Sequence, residues 1–207
     1  IDQAKHMILH TKKSRKCIWH FREHAIISLM LTSGVRRFEI IHAKRNDYQI
    51  KDDKAILYIK THKNIGDKEF VKISKGTQKA LNDYLNMRKD HNSYLFISHK
   101  KISKQGYLSR TFFADMFPKI LKSCGLEDKN ITPNVLRQTA GMINLLRGGT
   151  LASTQSFLRH KDISSTLVYQ EHLERLRDDS AYKIDAFILK EDKDIDYSDF
   201  IHFISYL

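Results

Sequence analysis

The chain is poor in three features that define whole classes of protein: cysteine, glycine with proline, and long hydrophobic runs. Its two cysteines, Cys17 and Cys124, cannot build a disulfide framework. Eight glycines and two prolines among 207 residues exclude a collagen-like repeat, and 41% hydrophobic residues disfavour disorder. No run of 18 apolar residues occurs, so we expect no membrane span. These absences predict a globular protein of a reducing, cytoplasmic compartment.

Positive charge is abundant and unevenly distributed. The chain has 36 Lys and Arg against 24 Asp and Glu, a net charge of +12. Residues 1–170 hold 31 basic and 14 acidic residues, whereas residues 171–207 hold 5 and 10. The net charge of residues 1–170 is thus +17. Such a charge is typical of a protein that binds a polyanion, because each Lys or Arg on a phosphate releases condensed counterions. The alternative is an ordinary soluble protein from a lysine-rich proteome.

The hydrophobic pattern predicts an α+β protein that is mainly α, with a small antiparallel β-sheet. Two runs of β-forming residues flank a polar connection and indicate a hairpin with its tip at 61–68. Ser109 is expected to cap a helix that Pro118 kinks or divides, and Thr132 and Pro133 to open another. The predicted helices are 19–33, 38–43, 77–87, 109–124, 133–147, 151–158 and 163–172, and the predicted strands are 55–59, 70–73 and 94–98.

Several residues at characteristic spacing can stabilise phosphoryl transfer. Arg36 lies in the bend between two predicted helices, and Arg137 lies on another. His160 follows Arg137 by 23 residues, and Tyr169 follows His160 by nine. Arginine forks can hold non-bridging phosphate oxygens, a tyrosine can attack phosphorus, and a lysine on the hairpin can protonate the leaving oxygen.

With these residues in place, residues 20–175 resemble the catalytic domain of the tyrosine recombinases, the phage integrase family. Family members carry T-G-x-R-x-x-E, then H-x-L-R-H-T, then L-G-H followed nine residues later by Tyr. This chain has Ser33-Gly34-Val35-Arg36 with Glu39, and Asn134-Val135-Leu136-Arg137-Gln138-Thr139. The interval from Arg137 to Tyr169, with His160 at the family offset, is the most specific part of the match.

The resemblance implies a role for each matching residue. Arg36 and Arg137 correspond to the phosphate-binding pair, and Tyr169 corresponds to the nucleophile that forms a 3′-phosphotyrosine. His160 corresponds to the hydrogen-bonding histidine. Lys63 is our choice for the general acid, with Lys60 and Lys68 as rivals, because seven lysines lie between residues 51 and 75. Glu39 is expected to support the region of Arg36 rather than to touch DNA.

The resemblance also implies the reaction and its partners. We expect a nucleoid-associated recombinase that acts on double-stranded DNA as a tetramer, through a Holliday junction. It should need no cofactor, no ATP and no metal ion. An integrase or transposase of a mobile element is preferred. The alternatives are a Xer-like chromosome or plasmid resolvase, a type IB topoisomerase, and a regulator of the same fold that has lost cleavage.

Three positions depart from the family pattern. Asn134 stands where histidine is usual, and an amide can form hydrogen bonds but cannot titrate. We keep Asn134 among the expected site residues. Gln138 also replaces a usual histidine, and Arg159 replaces the glycine before His160. The departures predict reduced but not absent chemistry.

The domain expectation follows from the motifs and the charge. Residues 1–175 are expected to form the catalytic domain, and residues 176–207 an acidic, apolar tail that docks in cis or in trans. Family members often pass a C-terminal helix to a neighbouring protomer. The chain begins Ile1-Asp2-Gln3 without methionine, so we expect a fragment whose N-terminal core-binding domain is absent.

One competing motif remains. His20-Phe21-Arg22-Glu23-His24 fits the H-x-x-E-H signature of inverted zinc peptidases. Such short patterns arise readily in a chain with 11 histidines, and Arg22 disfavours a cation there. The preferred interpretation is a solvated helix face.

Overall fold

The structure is a computed structural model that describes residues 1–59, 69–99, 106–109, 111–126 and 131–189. The chain divides into two compact units, Ile1–Gln170 and Glu171–Leu207. Within the described residues, no helix is both long enough and apolar enough to cross a membrane.

The first unit is mainly helical with one small sheet, as the sequence predicts. Its elements in chain order are α1 (Asp2–Lys13), α2 (Ile18–Ser33), α3 (Arg37–His42), β1 (Tyr48–Lys51), β2 (Lys54–Ile59), β3 (Glu69–Ile73), α4 (Lys75–Met87), α5 (Phe112–Ser123), α6 (Asn134–Leu146), α7 (Leu151–Leu158) and α8 (Ser164–Arg177), and α8 runs on into the second unit. The second unit adds α9 (Ser180–Leu189).

Helix α2 is the centre of the hydrophobic core. Ala25, Ile26, Ile27, Leu29 and Met30 are fully buried, because α2 contacts α1, α4, α6 and β3 on different sides. The helix ends at Gly34, which adopts the left-handed conformation at φ +57° and donates its N–H to the carbonyl of Met30. Only glycine adopts this conformation without cost, so Gly34 turns the chain sharply just before Arg36.

The sheet has three antiparallel strands in the order β1-β2-β3. Ala55 pairs with Ile73 and Ile59 pairs with Glu69, as expected for the predicted hairpin. Strand β1 was not predicted, because its four residues are mostly exposed and lack a clear apolar alternation. The sheet places the hairpin that leads to 60–68 beside the end of α2, where Ser33 donates to the carbonyl of Lys72.

Two local predictions were wrong. Residues 94–98 form isolated bridges, Lys44 with Tyr94 and Ile97 with Tyr107, instead of a strand. Leu95, Phe96 and Ile97 are buried in the core although their backbone forms no continuous strand ladder. Helix α5 begins after Thr111 and continues through Pro118 without division, because its buried face, which includes Phe113 and Phe117, holds it against the core.

Candidate active site

Arg36 lies in extended backbone between α2 and α3, as predicted for the bend. Its own N–H donates to Oε2 of Glu39 at 2.7 Å, and Nη1 donates to Oε1 at 2.9 Å. Nη2 donates to the carbonyl oxygen of Arg159 at 2.8 Å. The Glu39 side chain is 4% exposed and that of Arg36 is 41% exposed. The buried carboxylate of Glu39 therefore holds Arg36 on its protein side, while the guanidinium group of Arg36 remains accessible to solvent.

Arg137 is buried on α6 and faces the same region. Its two terminal nitrogens donate to the carbonyl oxygens of Gly34 and Leu158, which close α2 and α7. Burial, followed by the nearby charges of Arg36 and Arg159, lowers the pKa of Arg137 to about 10. The side chain is still charged at neutral pH, and its charge acts together with those of Arg36, Arg159 and Glu39.

Arg159 is a third guanidinium in this cluster, and sequence reasoning gave it no role. It ends α7 in the left-handed conformation at φ +54°, where glycine is the usual residue. Nη2 donates to Oε2 of Glu39 at 2.7 Å, and Nε lies 3.8 Å from Oε2 of Glu69. A basic residue at a helix end that normally takes glycine was the available sequence signal.

His160 is the residue after Arg159, and one nitrogen of its ring has a hydrogen-bond partner in the protein. Nδ1 lies 2.8 Å from the hydroxyl of Thr166, and the backbone N–H donates to the carbonyl of Gln155. Burial, then the charges of Arg137 and Arg36, lower the pKa of His160 to about 4. The imidazole is therefore neutral at pH 7, and a neutral ring can both donate and accept a hydrogen bond.

Tyr169 is half-buried on α8, within the first unit. Its ring stacks on the ring of His160, with centroids 6.3 Å apart and planes inclined by 29°. Burial raises the pKa of Tyr169, and the charge of Arg137 opposes that rise. The phenol is protonated in the resting protein and has a cation close by that would stabilise a developing phenolate.

Gly141 is a further residue that sequence reasoning missed. It lies on α6 one turn beyond Arg137, and a Cβ there would stand 2.6 Å from Cδ1 of Leu158 and 3.4 Å from Cε2 of Tyr169. The absence of a side chain lets α6 approach the end of α7 and the ring of Tyr169. A helical glycine with no turn nearby was the only local sign.

The other two predicted site residues are Asn134 and Lys63. Asn134 is exposed at the first turn of α6, three residues before Arg137 and so on the same side of the helix. Helix α6 begins at Asn134, with Pro133 rather than Thr132 in the capping position. Lys63, with its rivals Lys60 and Lys68, lies outside the described residues.

The H-x-x-E-H segment has a different environment from a solvated face. His24 is buried, and its Nδ1 lies 3.0 Å from the hydroxyl of Thr11. Nδ1 of His20 lies 3.2 Å from Sγ of Cys17. The two rings thus have separate protein partners, and His24 belongs to the packing of α1 against α2.

Comparison with known proteins identifies relatives that match nearly all of the first unit, Ile1–Gln170. The family model described as "Phage integrase family" matches residues 2–175. The tyrosine recombinase XerD of Listeria innocua is 31% identical over 170 residues, which are 78% of this chain and 54% of that protein. The chain thus spans about half the length of such curated relatives.

Solved structures agree on the fold. The crystal structure of XerA recombinase matches with a TM-score of 0.69 and 26% identity, covering 90% of this chain and 61% of that chain. The Tn1549 transposon integrase, solved in complex with circular intermediate DNA, matches with a TM-score of 0.65 and 16% identity over 84% of this chain and 65% of that chain.

Proposed function

Because the chain belongs to the phage integrase family, we propose that it is the catalytic domain of a tyrosine site-specific DNA recombinase. One observation carries the proposal. Arg36 and Arg137 donate to the carbonyls of Arg159 and Leu158, which directly precede His160, and the ring of His160 stacks on Tyr169. A nucleophile, a histidine and two guanidinium groups therefore lie around one place where a phosphodiester can bind.

The reaction follows from these groups. The Tyr169 oxygen attacks the scissile phosphorus, its proton passes to solvent water as the new P–O bond forms, and the bond to the 5′-oxygen breaks. Arg36 and Arg137 hold the non-bridging oxygens, where negative charge increases in the transition state. Lys63 gives its proton to the departing 5′-oxygen, and His160 hydrogen-bonds to the phosphate. Asn134, exposed at the start of α6, contributes a hydrogen bond to the bound DNA.

Strand exchange needs no energy source in this scheme. One phosphodiester is exchanged for one phosphotyrosine, and the 5′-hydroxyl of another strand reverses the step. The transferred group retains the energy of the ester, so ATP is not required, and the scheme uses no divalent metal. The guanidinium groups supply the charge stabilisation that a metal ion provides in other phosphoryl-transfer enzymes.

Double-stranded DNA is the proposed partner. The +17 charge of residues 1–170 supports it, and binding should weaken steeply with salt, by about 10³–10⁵-fold between 50 and 200 mM if six to ten phosphates are contacted. We propose that four protomers act together and pass through a Holliday junction. A core-binding domain outside this chain would complete the DNA clamp, in the nucleoid of the cell.

The second unit is proposed to dock on a protein surface, in cis or in trans. Helix α9 exposes apolar side chains to solvent. Tyr182 is 79% exposed, Ile184 is 58% exposed and Ile188 is 69% exposed. Removing residues 184–207 should weaken recombination more than DNA binding. Equal losses in both would exclude an assembly role for the tail.

Two cellular roles fit this chemistry. An integrase of a mobile element is our first choice, because Asn134, Gln138 and Arg159 depart from the common motif. Identity to the XerD recombinases favours a chromosome or plasmid resolvase as the second. A pair of plasmid assays separates them: excision of an element between its own ends for the first, and conversion of plasmid dimers to monomers for the second.

The chemical proposal is tested with a duplex nicked next to the scissile phosphate. Loss of the short fragment prevents religation, so each cleavage leaves a covalent protein–DNA adduct. We expect adducts to accumulate in the presence of EDTA and without ATP. Tight, salt-sensitive binding without any adduct would instead identify a DNA-binding regulator.

A further inference from the structure

Outside the candidate active site, three metal-binding side chains converge between α1 and α5. His6 and His10 are one turn apart on α1, and their ring centroids are 6.0 Å apart. Cys124 follows the last residue of α5 and carries a free, buried thiol. One nitrogen from each histidine and the sulfur of Cys124 all lie within 4.8 Å of one another. In the described part of the chain, no other three His, Cys, Asp or Glu side chains meet this closely.

The donor set selects for zinc. Two imidazole nitrogens and a thiolate are borderline-soft ligands, which zinc prefers, whereas magnesium and calcium require oxygen. Around tetrahedral zinc, with bonds of about 2.0–2.3 Å, neighbouring ligand atoms lie about 3.3–3.6 Å apart. The three donors therefore need to close by at most about 1.5 Å. The exposed His6 can do so by rotating its side chain, while the buried Cys124 stays in place.

We propose that His6, His10 and Cys124 bind one zinc ion, with water as the fourth ligand, and that this ion ties α1 to α5. The thiol loses its proton when the metal binds, so the thiolate and the ion neutralise part of each other's charge. Helix α1 otherwise buries two side chains, Met7 and Thr11. A metal link to α5 would add a second attachment for this terminal helix.

The site is invisible in the sequence. A histidine pair four residues apart also occurs at His20 and His24, where it matches a known signature. In the structure His24 contacts Thr11 and His20 contacts Cys17. His6 and His10 instead lie close to Cys124, which is far away in sequence. The fold, rather than the local motif, identifies the ligands.

Cobalt(II) is the probe, because it takes zinc's place in such sites and its spectrum reports a bound thiolate. The whole chain, freed of metal with a chelator, is titrated with Co²⁺. We expect one Co²⁺ per chain, a thiolate-to-cobalt charge-transfer band, and the loss of that band when Zn²⁺ is added. Cys124→Ser should abolish the band and weaken Co²⁺ binding by more than the roughly 10–100-fold that loss of a second-shell partner costs, and His6→Ala should weaken it by at least about tenfold.

Cys17 provides a matched control. It is also a free cysteine beside a histidine, His20, but within the described residues it belongs to no group of three metal-binding side chains. Cys17→Ser should leave the band and the affinity unchanged. His6 is exposed, so His6→Ala keeps the test valid if Cys124→Ser folds poorly, with circular dichroism as the check on folding.

Three results would overturn the site: no charge-transfer band in the unmodified chain, a band that persists in Cys124→Ser, or a band that disappears in Cys17→Ser. The proposal is independent of the recombinase function, because cleavage is measured in EDTA. A chain that cleaves DNA without binding cobalt refutes only the metal site.

Discussion

Arg159 donates to Glu39 at 2.7 Å across 120 residues of chain, and the same carboxylate also holds Arg36. The two guanidinium groups therefore share one buried acid. We infer that Arg159 is a positioning residue. By taking part of the carboxylate's charge, it leaves the half-exposed fork of Arg36 freer to turn toward a phosphate.

The first prediction concerns Arg159→Ala. Without the second guanidinium, Glu39 should hold Arg36 more tightly, and the single-turnover cleavage rate should fall about tenfold, which equals about 1.4 kcal/mol of transition-state stabilisation. DNA affinity should change less than the rate. Arg159→Lys should restore part of the rate, because an ammonium can still pair with the carboxylate. Equal losses of rate and affinity in both variants would indicate a DNA contact instead.

A second prediction concerns Glu39→Gln. Removing the buried carboxylate takes away the near partner of the buried Arg159, which keeps Glu69 at 3.8 Å, and breaking a buried ion pair typically costs about 3–5 kcal/mol of folding free energy. Denaturant unfolding measures it. Glu69→Gln is the control, because Glu69 is 48% exposed and 3.8 Å from Arg159, so its loss should cost less than about 1 kcal/mol. Similar costs for the two variants would contradict the role assigned to Glu39.

A third prediction concerns Gly141→Ala. The added methyl group would stand 2.6 Å from Cδ1 of Leu158, which must shift, and 3.4 Å from the ring of Tyr169. Overpacking of this kind costs about 1–3 kcal/mol, and we expect a net loss of stability together with slower cleavage. Gly76→Ala is the control, since a Cβ there meets nothing within 4 Å and a helical alanine should stabilise by about 0.5–1 kcal/mol. Stabilisation by both substitutions would show that Gly141 is not needed for close packing.

A fourth prediction concerns pH. His24, His99 and His160 have pKa values lowered to about 4, in each case mainly by burial. The unfolded chain therefore binds more protons than the folded one between about pH 6.5 and pH 4, so stability should decrease as the pH falls through this range. Urea unfolding at several pH values measures it. His24→Gln should flatten the slope, and a stability that is constant from pH 7 to pH 4.5 would contradict the burial of these rings.

Much of the architecture could be predicted from local sequence. Gly34 ends α2 as expected, and the hairpin register follows from alternating apolar residues such as Leu57 and Val71. The strand at 94–98 could not be excluded, because Leu95 and Phe96 have the composition of a strand. In the structure this backbone forms tertiary contacts, such as the bond from the N–H of Leu95 to the carbonyl of Ala43 and the one from Arg88 to the carbonyl of Leu95.

In the candidate site, too, some features can be predicted from local sequence and others depend on tertiary contacts. The spacing of Arg137, His160 and Tyr169 is visible along the chain, because these residues fall at family offsets. The link from Arg159 to Glu39 and the closeness of Gly141 to Tyr169 are not visible, because they depend on how helices cross. Asn134 and Lys63 stay predictions.

The most direct test of the account is the identity of the residue that becomes attached to DNA. Adducts formed with a nicked duplex are digested, and the modified peptide is sequenced by mass spectrometry. We expect the phosphodiester on Tyr169, no adduct from Tyr169→Phe, and unchanged adduct formation by Tyr182→Phe, which removes an exposed tyrosine further along the chain. Adducts that persist in Tyr169→Phe, or a modified residue other than Tyr169, would contradict the central claim.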